Sequence, residues 1–298
     1  MSAEDVIDKV GRREHKLNEK QWMAFRIIAR CFVRRFVLGL DTDSDPLRML
    51  MTGPGGTGKT HIVKAVQEVM RHYGATHKIR YLAPTSSAAA LIDGMTVHKG
   101  LGIKVKSKDK GKHSNRKLRD HSEDYSVVIT VRNRTELWDE WQLVELVMLD
   151  ECSLTSAELL SEFDSALQFA KEKPDLWFGG VMIIFVGDLY QFPPVGATAL
   201  YTPIPAYDGH STDAIEKRLG HLAWKSVNAV ISRSEQECMK EDPEYGAAVS
   251  LLGIRECTIE DMDLFNSRVI KSFDKKDGIN MSIEGNSSAS AIVWTNLL

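Results

Sequence analysis

Short apolar runs alternate along the chain with segments whose apolar residues recur at helical spacing. The runs predict buried strands at Leu47–Thr52, Ile79–Ala83, Leu146–Leu149 and Val181–Val186. The helical spacing predicts helices at Asn18–Val37, His61–Tyr73, Ser86–Asp93 and Ser156–Lys171. Because mostly apolar strands that alternate with helices are typical of a parallel sheet covered on both faces, the pattern predicts an α/β fold.

One segment departs from this alternation. Lys104–Arg119 holds eight Lys or Arg residues, a single acid and almost no apolar residues, and Ser126–Val131 follows it as an added strand. A further strand signal, Ala291–Thr295, lies close to the end of the sequence and predicts a second domain that is truncated. The predicted organisation is therefore a first domain at 1–103 and 132–215, an inserted basic segment at 104–131, and the start of a second domain at 216–298.

The composition of the 298 residues is that of a globular protein, with 43% hydrophobic and 27% charged residues. Its four cysteines form no CxxC pair, which argues against a zinc module or disulfide framework and fits a reducing, intracellular compartment. For a eukaryotic source we expect a nuclear protein. No apolar run approaches the roughly 20 residues that span a bilayer, so no membrane partner is expected. Because the net charge is −3, any nucleic-acid site must be local.

The most specific motif follows the first predicted strand and precedes a predicted helix. Gly53-Pro-Gly-Gly-Thr-Gly-Lys-Thr60 fits the phosphate-binding pattern GxxxxGK[ST] in full. Its glycines let backbone N–H groups close around phosphate oxygens, while Lys59 would reach the β and γ phosphates and the Thr60 hydroxyl would bind Mg²⁺. The predicted nucleotide contacts are Gly53, Gly55, Gly56, Thr57, Gly58, Lys59 and Thr60.

Two further polar groups follow apolar strands. Asp150 and Glu151 come after Leu146–Leu149, where Asp150 would hold Mg²⁺ and Glu151 would orient and deprotonate the attacking water. Gln191 follows the next strand, where its amide can bind the γ phosphate and sense its loss. The alternatives are a surface acid pair and an ordinary Gly-Asp turn, so these residues indicate a hydrolase most strongly in combination with the phosphate loop.

Taken in order, these blocks resemble the Pif-type branch of superfamily 1 helicases, which is related to the RecD helicases. The resemblance runs from about Leu17 to Asn296 and is weakest across the basic insert. Some phrases are also similar to the helicase part of fungal Helitron transposons. The matching blocks are Leu17-Asn-Glu-Lys-Gln21, the phosphate loop, Ala83-Pro-Thr-Ser-Ser-Ala-Ala-Ala90, Thr96-Val-His98, Asp150-Glu151-Cys-Ser, Phe178-Gly-Gly180 and Gly187-Asp-Leu-Tyr-Gln-Phe-Pro-Pro-Val195.

The resemblance implies a monomeric DNA helicase with two RecA-like P-loop domains that clasp ATP and Mg²⁺ between them. Such a protein moves 5′ to 3′ on single-stranded DNA and unwinds duplex at single-strand/duplex junctions; no protein partner is deducible. The implied DNA contacts are Thr85, Ser86 and His98, and the basic insert would lie beside the DNA, although a solvated loop or nuclear-import patch explains its charge as well.

Two residues carry competing interpretations. Gln21 would contact adenine by resemblance, whereas the Asn18-x-x-Gln21 spacing is also that of a helix-capping box; both roles are compatible. Arg233 would complete the γ-phosphate shell, but the family's Arg-Gln pair is not intact in Arg233-Ser-Glu-Gln236, and a surface arginine is the alternative.

The family's later motifs are missing, so we expect a fragment that binds ATP, hydrolyses it weakly and unwinds duplex poorly or not at all. Two other functions stay open: a P-loop ATPase that acts as a non-motor switch or scaffold, and a non-catalytic single-strand binding module. The DNA-contacting blocks and Gln191 count against the first of these, and the intact Lys59, Thr60, Asp150 and Glu151 count against the second.

Overall fold

The chain folds as two compact units, Met1–Glu235 and Gln236–Leu298. A computed structural model describes residues 2–40, 44–54, 58–103, 137–203, 211–232 and 242–268. Across these residues, no helix combines the length and the apolar character needed to cross a membrane. The predicted elements at Lys104–Arg119, Ser126–Val131 and Ala291–Thr295 lie outside the described residues and stay predictions.

The first unit is built on a parallel β-sheet. Its strands are β1 Arg48–Thr52, β2 Ile79–Ala83, β3 Met95–Thr96, β4 Leu146–Leu149, β5 Met182–Gly187 and β6 Ala229–Ser232. They lie in the order β3-β2-β4-β5-β1-β6, and every recorded pairing between them is parallel. The predicted α/β fold with a parallel sheet is therefore confirmed.

Helices connect the strands. Those of the first unit are α1 Ala3–Asp8, α2 Glu19–Phe32, α3 Lys59–His72, α4 Ser86–Leu91, α5 Val97–Leu101, α6 at 137–141, α7 Ala157–Ala170 and α8 Thr212–Lys225. Helical turns of other types lie at Lys9–Glu14, Val33–Val37, Thr76–Lys78, Cys152–Leu154 and Trp177–Gly180. The second unit contains α9 Pro243–Ile254 and α10 Ile259–Ser267. Side chains of Asn18, Ser156 and Ser211 cap α2, α7 and α8, as expected for residues that compete for the first free N–H groups of a helix.

Both faces of the sheet are covered by helices. Successive side chains of a strand point to opposite faces, so each strand contributes to both layers. In β5, Met182, Ile184 and Val186 pack in the layer that holds α1, α2 and α3. Ile183 and Phe185 pack in the opposite layer, with α5, α6, α7 and α8. This explains why β5 is apolar at consecutive positions and why its sequence signal was strong.

A close contact joins α8 to α7. A Cβ on Gly220 would lie 1.8 Å from the carbonyl oxygen of Ala157, so only glycine allows this approach. β6 then pairs with β1, and the buried Arg48 donates to the Ser226 carbonyl at 2.8 Å and forms an ion pair with Asp45. α8 and β6 thus belong to the first unit, whereas the sequence-based boundary placed residues from 216 onward in the second domain. β6 gave no sequence signal because it is four residues long and partly exposed.

The Phe178-Gly-Gly180 block forms the turn that leads into β5. Phe178 and Gly179 both have positive φ, 52° and 62°, and Phe178 packs between Phe163 and Phe185. The buried Asp164 of α7 accepts a hydrogen bond from the Phe178 backbone N–H at 2.5 Å. Burial raises the pKa of Asp164 to about 6 even though that hydrogen bond opposes the shift. These contacts give the block a structural role: they fix the start of β5 against α7.

Candidate nucleotide site

The carboxyl ends of three neighbouring strands, β4, β5 and β1, bring the predicted nucleotide residues to one edge of the sheet. Asp150 and Glu151 follow β4, Asp188 follows β5, and the phosphate loop follows β1. Ligands of open α/β sheets bind at this edge, because the loops there converge from strands with a common direction. The sequence placed these groups far apart along the chain, and the parallel sheet joins them.

The phosphate loop joins β1 to α3. Gly58 has φ +75° and caps the first turn of α3 with its backbone, and Lys59 begins that helix. The Lys59 ammonium donates to the carbonyl oxygens of Gly53 at 2.8 Å and Pro54 at 3.2 Å, which holds the ammonium inside the loop. Thr60 is exposed at the next position. The remaining predicted contacts, Gly55, Gly56 and Thr57, lie outside the described residues.

The acid pair lies within electrostatic range of Lys59. Burial raises the pKa of Asp150, while a hydrogen bond from the Glu151 N–H, 3.0 Å from Oδ1, and the charge of Lys59 act in the opposite direction. The pKa of Glu151 is raised by burial, by the charge of Asp150 and by that of Asp188, and Lys59 again opposes the shift. Glu151 has φ +50°, a turn that directs the chain into the short helix that follows. A carboxyl with raised proton affinity beside a cation is suited to proton transfer.

A second turn follows β5. Asp188 is buried, accepts a hydrogen bond from the Tyr190 N–H at Oδ1, and accepts another from the Gln191 N–H at its carbonyl oxygen. The Gln191 side chain is exposed. Sequence reasoning did not name Asp188 as a site residue, although an acid directly after an apolar strand was the available signal.

Glycine lets the two turns approach each other. A Cβ on Gly187 would lie 2.9 Å from the Cys152 Sγ, and the Gly187 carbonyl accepts a hydrogen bond from the Gly53 N–H at 3.3 Å. Cys152 is buried, and burial raises the pKa of its thiol to about 12, so the thiol stays protonated at neutral pH. The end of β5 therefore packs against the turn that follows Asp150-Glu151 and against the start of the phosphate loop.

Gln21 lies beside the phosphate loop and also belongs to the capping box of α2. Its Oε1 accepts from the Asn18 N–H at 3.1 Å, and Asn18 Oδ1 accepts from the Gln21 N–H at 2.9 Å. The same amide group reaches Gly58, because a Cβ there would lie 2.6 Å from Gln21 Nε2. The capping interpretation is confirmed, and the side chain borders the loop predicted to hold the nucleotide.

The donor set at this edge fits Mg²⁺. Asp150 supplies a carboxylate and Thr60 a hydroxyl, both hard oxygen donors, and magnesium in nucleotide sites is held by one or two such groups together with phosphate oxygens. Within the described part of the chain, no group of three or more His, Cys, Asp or Glu side chains could hold a metal ion.

The residues predicted to contact DNA lie at the neighbouring strand ends. Thr85 and Ser86 follow β2 and are exposed, and the Thr85 hydroxyl accepts from the Ala88 N–H to cap α4. His98 lies in α5 after β3; it is half-buried, and burial lowers the pKa of its ring. The three residues thus follow the carboxyl ends of β2 and β3, and β2 is the direct neighbour of β4, the strand that precedes Asp150. Arg233 lies outside the described residues, so its assignment stays a prediction.

Comparison with known proteins identifies related sequences. A family model described as PIF1-like helicase matches residues 32–206. ATP-dependent DNA helicase RRM3 of Saccharomyces cerevisiae is 27% identical over 146 residues, which cover 48% of this chain and 18% of that protein. ATP-dependent DNA helicase PIF1 of the same species is 29% identical over 144 residues, which cover 48% of this chain and 15% of that protein. The matched part is thus under one fifth of the length of these relatives.

Solved structures share the fold. A crystal structure of Pif1 helicase from Candida albicans matches with a TM-score of 0.58 and 20% identity, and covers 86% of this chain and 48% of that one. Pif1 helicase from Bacteroides, solved in complex with ADP-AlF3 and single-stranded DNA, matches with a TM-score of 0.55 and 20% identity, and covers 86% of this chain and 52% of that one. At this identity the likeness shows the RecA-like fold.

Proposed function

Because the chain belongs to the PIF1-like helicase family, we propose that it is the nucleotide-binding motor domain of an ATP-dependent DNA helicase. The observation that carries the proposal is the convergence of Lys59, Asp150 and Glu151 at one edge of the sheet, where the charge of Lys59 acts on both acids. A phosphate loop alone supports binding. An acid pair opposite its lysine supports hydrolysis as well.

Each residue has a proposed chemical role. Lys59 binds the β and γ phosphates, and Thr60 and Asp150 hold Mg²⁺, which would neutralise phosphate charge when bound. Glu151 orients the attacking water and takes its proton, a role that its raised pKa favours. Gln191 contacts the γ phosphate, and Gln21 contacts adenine with the amide end that faces Gly58.

The proposed track for single-stranded DNA crosses the ends of β2 and β3, with Thr85, Ser86 and His98 as contacts. Support comes from the position of these residues on the same sheet edge as the nucleotide residues, where loop movements on ATP turnover would reach them. Translocation from 5′ to 3′, unwinding at junctions and a monomeric state complete the proposal. We also propose that Arg233 acts on the γ phosphate.

The first test is equilibrium binding of mant-ATP with Mg²⁺ to the parent chain and to Lys59→Ala. We expect the variant to lose roughly tenfold or more in affinity, because it lacks the charge that faces the phosphates. Lys64→Ala is the matched control, since Lys64 is exposed on the same helix. Equal affinity in Lys59→Ala and the parent would sink the assignment of the site.

The second test is ATP turnover with and without single-stranded DNA. DNA-stimulated turnover that disappears in Lys59→Ala supports the motor. Turnover that is indifferent to DNA favours a non-motor switch, the other P-loop function considered for this chain. DNA binding by a chain that neither binds nor hydrolyses ATP would contradict both.

A further inference from the structure

Asp188 is a buried acid at the candidate site that the proposed function leaves without a role. The residue is only 7% exposed. Its Oδ1 accepts from the Tyr190 N–H at 3.0 Å, and its carbonyl oxygen accepts from the Gln191 N–H at 3.1 Å. The backbone N–H groups of two successive residues, Tyr190 and Gln191, therefore both donate to Asp188.

The segment after Asp188 is not held by burial of its side chains. Tyr190 is 79% exposed and Phe192 is 83% exposed, and Gln191 between them is exposed as well. An exposed segment gains little order from packing, so backbone hydrogen bonds decide which conformation it adopts. The two bonds to Asp188 are thus the described contacts that fix the backbone of Gln191.

The residue before Asp188 is held by contacts with the phosphate loop and with the turn after β4. The preceding residue, Gly187, pairs in β5, accepts from the Gly53 N–H, and packs against Cys152 at a distance that excludes a Cβ. Contacts with the phosphate loop and with the turn that follows Asp150 and Glu151 therefore fix the backbone just before Asp188. A carboxylate in this place can hold Gln191 at a set distance from the nucleotide phosphates.

We propose that Asp188 is a positioning residue: its carboxylate and carbonyl oxygens fix the turn that presents Gln191 to the γ phosphate. The inference rests on the proposed role of Gln191 and adds that the hydrogen-bond acceptor of Asp188, rather than its charge, is what the turn requires. Asn and Ser side chains accept the same type of local hydrogen bond, so they should replace Asp188, whereas Ala should not.

The experiment compares the dissociation constants of mant-ATPγS and mant-ADP with Mg²⁺, because only the first carries a third phosphoryl group, a γ-thiophosphate that stands in for the γ phosphate. Asp188→Ala should reduce the preference for mant-ATPγS by about 3- to 10-fold, the effect of roughly one hydrogen bond. Asp188→Asn and Asp188→Ser should keep the parent preference. Val195→Ala is the matched control, since Val195 lies in the same loop and is 97% exposed.

A double variant tests whether Asp188 acts through Gln191. If it does, Asp188→Ala combined with Gln191→Ala should show the same preference as Gln191→Ala alone, because the two changes remove one interaction. A parent-like preference in Asp188→Ala, a loss in Asp188→Asn as large as in Asp188→Ala, or an additive double variant would each overturn the proposal. Circular dichroism checks folding; if Asp188→Ala does not fold, Asp188→Asn still decides, since its preference must match the parent.

The outcomes separate this inference from the proposed function. If Lys59→Ala binds both mant-ADP and mant-ATPγS more weakly, the nucleotide site is supported. This result does not depend on the behaviour of the Asp188 variants. An unchanged preference in Gln191→Ala overturns the positioning role while nucleotide binding stands. Absence of binding to the parent chain contradicts the nucleotide site itself.

Discussion

The Nε2 atom of Gln21 lies 2.6 Å from the position that a Cβ on Gly58 would occupy. Gln21 comes from α2 and Gly58 from the loop that starts α3, so the contact ties the N-terminal helical layer to the phosphate loop. Any side chain at position 58 would meet that amide. The glycine is thus required by a neighbour as well as by its own backbone conformation.

Gly58→Ala should weaken nucleotide binding. The left-handed conformation at φ +75° costs an alanine about 1–2 kcal/mol, and displacement of Gln21 adds to that cost. We expect mant-ATP affinity to fall roughly tenfold. Adding Gln21→Ala would relieve this contact but would also remove the capping bond from the Asn18 N–H, so it should not restore the thermal stability of the parent. Gly39→Ala is the control: its φ is +66° with open space around it, and it should leave nucleotide affinity at the parent value.

Gly220→Ala should destabilise the first unit. Its Cβ would lie 1.8 Å from the Ala157 carbonyl oxygen, so α8 must move away from α7. Overpacking of this kind costs about 1–3 kcal/mol, which urea unfolding followed by circular dichroism would measure. Gly253→Ala in α9 has no atom within 4 Å of its Cβ and should instead be neutral or stabilising. Equal midpoints for Gly220→Ala and the parent would contradict the close packing.

Lys171→Met should also lower the free energy of unfolding. The Lys171 side chain is 7% exposed, and its ammonium donates to the carbonyl oxygens of Gln142 at 2.7 Å and Val144 at 2.9 Å. Methionine keeps the apolar stem but leaves both carbonyls without this donor, at a cost of about 1–3 kcal/mol. Lys173→Met, at an exposed position in the same region, should change little. Similar denaturation midpoints for the two variants would argue against the anchoring role.

Asp164→Asn should change how stability depends on pH. The folded pKa of Asp164, about 6, lies above the ordinary value of 3.8, so the folded chain binds more protons between these limits. The contribution of Asp164 to stability is therefore greatest below about pH 4 and is lost as the pH rises to about 6, by up to roughly 3 kcal/mol. Asparagine keeps an acceptor for the Phe178 N–H and removes the titration.

The measurement is urea unfolding of the parent and Asp164→Asn at several pH values from 4 to 7. The stability of the variant relative to the parent should rise with pH through this window and level off above it. Asp139→Asn, at an exposed position, gives the baseline for removing one carboxylate. A constant difference between Asp164→Asn and the parent across the window would contradict the assignment.

Most of the sheet could be predicted, because four of its strands are short runs of apolar residues that are visible in the local sequence. The predicted strands Ile79–Ala83 and Leu146–Leu149 have the observed bounds of β2 and β4. β3 and β6 were missed, since two and four residues with partly exposed side chains carry no periodic signal. α8 was missed as well: its apolar residues are divided between a buried face and exposed positions such as Leu219 and Leu222.

The sequence by itself determined the chemistry of this protein. The phosphate loop, the Asp150-Glu151 pair and the blocks Phe178-Gly-Gly180 and Gly187–Val195 are short local motifs, and such motifs specify which chemical groups are available. Tertiary structure alone decided which of these groups meet: strand order places the ends of β4, β5 and β1 side by side, so residues distant in sequence share one electrostatic environment. Packing also buries Asp188, whose carbonyl oxygen accepts from the Gln191 N–H, and brings Gln21 into contact with Gly58. These contacts depend on packing between elements, which no single segment of the chain encodes.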